Sequence, residues 1–97
     1  MSAPRNEIIH DKDFSKDVRV LPNELREKLS ELLEILSLNP FDPRLHTKPL
    51  GPPLHGIFSF RISRDYRVGF KFRAPHVIQL LAADTREKIY KRLERRT

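Results

Sequence analysis

The sequence predicts an α+β domain: a small antiparallel sheet packed on an N-terminal α-hairpin and closed by a C-terminal helix, in the order β-α-α-β-β-β-α. Three patterns carry that reading. Apolar residues recur at helical spacing from Phe14 to Leu36, alternate with period two from Gly56 to Arg73, and return to four-residue spacing at Ile89 and Leu93. At 97 residues, 33% charged and 38% hydrophobic, the chain reads as one folded domain over 1–97 with a single modest core.

Glu7 to Ile9 are short and β-branched enough for an edge strand. Asp11 or Asp13 can cap a helix carrying Phe14, Val18 and Leu21, and Pro22 then breaks the chain at the start of a second helix. In that helix Leu25, Leu29, Leu32, Leu33 and Leu36 form one apolar stripe, and Asn39-Pro40 ends it. Residues 39–55 hold five of the eight prolines and no periodicity, which predicts a stiff, extended loop without regular structure. After the hairpin, Ala74-Pro75 turns the chain into Val77 to Ala83, a continuous apolar strand expected at the centre of the sheet. Asp84 or Thr85 can cap the last helix, Arg86 to Arg95. The helices are expected to cover one face of the sheet and leave the other open.

Composition narrows the function. There is no cysteine, so neither a disulfide nor a thiolate metal site holds the fold. The polar N-terminus has no signal-type apolar segment and no later run approaches membrane-spanning length, which makes a cytoplasmic protein without membrane partners the expectation. Charge is unevenly distributed. Residues 1–43 carry six Lys/Arg and nine Asp/Glu, whereas residues 44–73 carry seven Lys/Arg and Asp65 alone. A polarised, basic C-terminal half is the electrostatic footprint of a nucleic-acid binder.

The hairpin sharpens this. Phe58, Phe60, Ile62, Tyr66, Val68, Phe70 and Phe72 share one face; Ser59, Arg61, Arg67, Gly69, Lys71 and Arg73 share the other. Keeping the apolar sets together fixes the register, with Ile62 facing Tyr66 across Ser63-Arg64-Asp65 and Arg61 directly opposite Arg67. Like charges across a ladder repel, so the arrangement points to a bound anion. The alternative is that one arginine pairs with Asp65, Asp84 or Glu87. Gly69 either leaves room for a substrate backbone or marks a bulge.

The four histidines have no metal-ligand spacing, and three glycines make no phosphate loop, so neither metal nor cofactor is expected. Cationic and imidazole chemistry remains. It suits cleavage of a phosphodiester by the neighbouring 2′-hydroxyl, which needs a base, an acid and positive charge on the phosphorane. Arg61 and Arg67 are the candidates to grip the phosphate, and His46 and His55 those to move protons. The Tyr90 hydroxyl can reach the open face, unless its ring is core. Arg44, Lys48, Arg64, Lys71, Arg73 and Lys91 extend the cationic surface as candidate RNA contacts.

The chain also resembles the RelE/ParE-type toxins of bacterial and archaeal toxin–antitoxin pairs, over nearly its whole length. The resemblance rests on Phe14 through Leu21-Pro22, Asn39-Pro40, Leu45 to Leu50, Phe58-Ser59-Phe60-Arg61-Ile62 with Asp65-Tyr66-Arg67-Val68, and Arg86-Glu87-Lys88-Ile89-Tyr90-Lys91. It implies a small antiparallel sheet against an α-hairpin, and an RelE-like, ribosome-dependent mRNA endonuclease. On that resemblance Arg67 is the phosphate-binding arginine, and Arg86 and Tyr90 belong to the closing site. The implied partners are a cognate antitoxin, mRNA in the ribosomal A site, and operator DNA reached through the antitoxin. Two departures stand out: Thr85 occupies the position of the closing motif that can hold a histidine, and Phe58 and Phe60 replace lysines found in some branches. A ParE-like inhibitor of DNA gyrase, or a degenerate member that only binds RNA or antitoxin, are the alternatives.

Overall fold

The computed structural model describes residues 5–96. Met1 to Pro4, part of the polar N-terminal stretch read above, lie outside the described residues, as does Thr97. The elements are β1 (Glu7–His10), α1 (Lys12–Val20), α2 (Asn23–Leu38), β2 (Lys48–Pro49), β3 (Ile57–Arg61), β4 (Tyr66–Ala74), β5 (Val77–Thr85) and α3 (Arg86–Arg96). The strands form one sheet in the order β1-β5-β4-β3-β2.

The α+β class and the register of the hairpin are as the alternation predicts. Phe58 faces Phe70, Ser59 faces Gly69, Phe60 faces Val68 and Arg61 faces Arg67. Asp11 caps α1 by accepting from the Asp13 amide at 3.1 Å, and Pro22 and Asn39 bound α2. Phe14, Leu21, Leu29, Leu32 and Leu36 close one core cluster against Phe60, Ile62, Val68, Phe70, Ile78 and Leu80. Each such side chain removed from water contributes about 1.5–3 kcal/mol.

Five expectations are corrected. The sheet is mixed, because β1 runs parallel to β5, and β4 rather than β5 is its middle strand. Residues 39–55 are ordered by hydrogen bonds: a 3-10 turn at Pro43–Leu45 is capped by Asp42, and β2 pairs with β3. Proline left too few amides for a periodic pattern to reveal this. The α3 start is held differently from a side-chain cap, since the Arg86 amide donates to the Asp65 carbonyl at 2.7 Å and the Asp84 carboxylate accepts from the Thr85 amide.

The last correction matters most. The second face of the sheet is not open, for Ile89 and Leu93 of α3 bury there with Leu50, Leu54, Ile57, Leu81 and Ala82. A bulge makes this possible. Gly69 pairs with Ala82 while Phe70 pairs with Leu80, so Leu81 is the extra residue and shares the α3 face with Ala82. Gly69 therefore serves neither as a substrate path nor as the bulged residue itself. It lets α3 approach, since a Cβ there would stand 2.6 Å from Leu93 Cδ2.

Gly69→Ala is expected to lower the unfolding free energy by about 1–3 kcal/mol through overpacking. Chemical denaturation checks this, and in a double-mutant cycle Gly69→Ala should cost less in a Leu93→Ala background, where the space is open, than in the wild type.

Candidate functional site

The site grows from the two-residue pairing of β2 with β3. Lys48 lies opposite Ser59, so it joins Ser59, Arg61 and Arg67 on the α3 side of the sheet. The preceding turn delivers His46: Leu45 is fully buried, the Thr47 hydroxyl donates to the Pro40 carbonyl at 2.6 Å, and His46 itself takes a left-handed backbone with φ of 52°. His46, Lys48, Ser59, Arg61 and Arg67 then line one small cleft.

Arg67 is its centre. The residue is only 7% exposed, and its Nε and Nη1 are buried without a hydrogen-bond partner. Burial holds its pKa below the ordinary arginine value. Arg61 and Arg86 push the same way, against the opposing effects of Tyr90 and Asp65. A guanidinium does not give up its proton near neutrality, so the site keeps a desolvated positive charge that needs an anion. The same electrostatic neighbours place Arg86 and Tyr90 within range of that charge.

Further depressions continue the cleft in both directions. One shares His46 and Arg61 with it and adds Lys28, Arg44 and Arg64; the next shares Arg64 and adds Tyr66, Thr85, Arg86 and Lys88 together with two acids, Asp65 and Glu87. On the other side, Lys48 joins Leu50, Leu54, Tyr90 and Glu94. Tyr90 packs against the second core cluster and remains half-buried.

The remaining candidates lie elsewhere. His55 is exposed just before β3, and His55, Lys71, Arg73 and Lys91 line none of these four depressions. Arg44 is already engaged, with Nε 3.0 Å from Asp42 Oδ1. No acid pairs with Arg61 or Arg67 among the ion pairs of the described residues; Asp84 bonds Arg92 instead. Ser59, Lys28 and Lys88 join the track without having been singled out by sequence. Only the packing of α2 beside the hairpin could have drawn Lys28 from a helix face dense with glutamates. Among the described residues, no three His, Cys, Asp or Glu side chains converge as a metal site requires.

A mixed sheet with two helices on one face and a terminal helix on the other is the fold of the RelE/ParE-type toxins; the sequence resemblance implied the α-hairpin, the small sheet and the terminal helix, but an antiparallel sheet. A chain of the RelBE2 toxin–antitoxin complex from Mycobacterium tuberculosis matches with a TM-score of 0.71 at 26% identity, over 84% of this chain and 99% of that one. YafQ from E. coli matches with a TM-score of 0.73 at 20% identity, over 89% and 99% of the two chains. A chain of the archaeal RelE–RelB complex from Pyrococcus horikoshii gives 0.70 at 22%, over 84% and 96%. No protein-family model and no curated protein matches the sequence. No helix among the described residues is long and apolar enough to cross a membrane.

Arg67→Met should raise the thermal midpoint, because it removes an unpaired buried charge worth about 1–4 kcal/mol of destabilisation. Inorganic phosphate should stabilise the wild type and leave Arg67→Met unmoved in parallel melts. A second expectation concerns the turn that carries His46. The Arg44 side chain and amide donate to Asp42 and hold its carboxyl at about 2, below the usual 3.8. Because the folded pKa is the lower one, this stabilisation is complete above about pH 4 and is lost as pH falls through about 2. A carboxyl-carbon NMR titration should show that midpoint for Asp42, and Arg44→Ala should return it toward 3.8.

Proposed function

We propose that this chain is the toxin of a type II toxin–antitoxin pair, acting in the cytoplasm as a ribosome-dependent mRNA endonuclease. The observation that carries the reading is the buried, unpaired Arg67 guanidinium in a cleft shared with Arg61, His46 and Lys48. A phosphate in the cleft answers the uncompensated charge of Arg67, and Arg61 opposite supplies the second charge. The 2′-hydroxyl attacks the phosphorus, the bond to the 5′-oxygen breaks, and a cyclic 2′,3′-phosphate and a free 5′-hydroxyl result. His46, the histidine in the cleft, takes or returns the proton at one of these oxygens, while the arginines stabilise charge on the phosphorane.

Arg64, Arg86 and Lys88 extend the cationic track along which the flanking nucleotides run, and the Tyr90 hydroxyl sits near the scissile group. The antitoxin is an acidic chain that covers this track. Its existence is supported by likeness to chains crystallised as RelB–RelE complexes. A second reading, a ParE-like inhibitor of DNA gyrase, draws on Thr85, which puts a hydroxyl at the end of β5 in place of an imidazole.

Primer extension in a purified translation system tests the choice. Wild-type protein should give new 5′ ends at ribosome-occupied codons. Arg67→Ala should abolish them, and His46→Gln should slow their appearance by about 10²-fold or more. Intact mRNA together with blocked supercoiling would select the gyrase reading.

A further inference from the structure

The Arg67 charge is unpaired although an aspartate stands beside it. Asp84 is the residue directly opposite Arg67 in the β4–β5 ladder, and opposed residues share a face with Cβ atoms about 5 Å apart. A carboxylate so placed is the natural partner for a guanidinium. It is occupied instead: Oδ1 accepts from the Thr85 amide at 2.7 Å and Oδ2 from Arg92 Nη1 at 3.1 Å. Arg92 is itself fixed by Asp17 Oδ1 at 2.9 Å and by the Ala83 carbonyl at 3.3 Å. Asp17 is in turn anchored by the Ala83 amide at 2.9 Å.

We infer that Arg92 is a positioning residue, which holds the Asp84 carboxylate away from Arg67 and so keeps the Arg67 guanidinium open to a phosphate. This rests on the reading of Arg67 as a phosphate ligand and adds to it what preserves that state. Without Arg92, Asp84 is free to turn to Arg67 across the ladder, and competes with the phosphate from within the protein. Arg92 is not among the residues that line the cleft, and its bond to Asp84 is what links it to the residue opposite Arg67.

The test follows the Arg67 Nε–H resonance by nitrogen-15 NMR during titration with inorganic phosphate. In the wild type the resonance should move with phosphate. In Arg92→Met it should already be displaced without phosphate, and phosphate affinity should fall about tenfold, the scale of one charge-assisted hydrogen bond. Adding Asp84→Asn to Arg92→Met should restore both readings, which repair of the fold alone would not do. Arg92→Lys, which keeps the charge, should lose part of the affinity, again reversed by Asp84→Asn; this pair serves if Arg92→Met does not fold.

An unmoved Arg67 resonance in the wild type, an unchanged affinity in Arg92→Met, or failure of Asp84→Asn to rescue would overturn the assignment. Phosphate binding is read directly here, so uncut mRNA counts against the nuclease while this result stands on its own.

Discussion

Six aromatic and aliphatic side chains on one face of the β3–β4 hairpin, Phe58, Phe60, Ile62, Tyr66, Val68 and Phe70, must be covered by the stripes of α1 and α2, and this requirement sets the register of the hairpin. A slip by one residue would turn Phe60, Val68 and Phe70 out of the core and bring Arg61 and Arg67 into it. The register that satisfies the apolar face thus forces the two arginines together on the other. Their repulsion is tolerated because it is small beside the burial it accompanies. The cationic site is a by-product of packing that the core then holds rigid.

The second face repeats the logic with α3. A strand buried on both sides cannot display its pattern by alternation, and β5 has to serve α1 and α2 below and α3 above. The bulge at Leu81 solves the mismatch by giving α3 two consecutive contacts, Leu81 and Ala82, before alternation resumes with Ala83 facing the first core. Opposite the bulge stands Gly69, and the missing side chain lowers Leu93 onto the sheet. This close approach brings the first turns of α3, with Arg86 and Tyr90, beside Arg67.

Where two faces differ in polarity, the sequence displays the fold. The hairpin register, the leucine stripe of α2 and the Arg61–Arg67 pair were legible for that reason. Where both faces are apolar or the segment is too short for a period, the fold was hidden. Ile89 and Leu93 announce an amphipathic α3 without saying which face of the sheet receives it. The run Val77 to Ala83 conceals its bulge because every residue in it is suited to a core apart from Gln79. β2 spans two residues, one of them proline, yet it brings Lys48 to the cleft and steadies His46 nearby. His55 is the same residue type in the same loop and stays outside, a distinction that composition cannot make.

The electrostatic polarity of the chain takes a different meaning in three dimensions. Much of the acidity of the first forty residues is consumed by α3: Arg96 pairs with Asp11 and Asp13, and Arg92 with Asp17. The helix that looked like an exposed basic surface spends two of its arginines holding the two ends of the chain together. Asp84, the acid best placed to neutralise the cleft, is drawn into the same network. The positive charge left over is therefore concentrated on β3, β4 and the His46 turn, where no acid of the described residues makes an ion pair with Arg61 or Arg67. An ordinary surface ion pair at Arg67 would stabilise the fold at the expense of the site; leaving it unpaired makes the protein less stable alone than bound. That difference is the binding energy available to whichever anion fills the cleft.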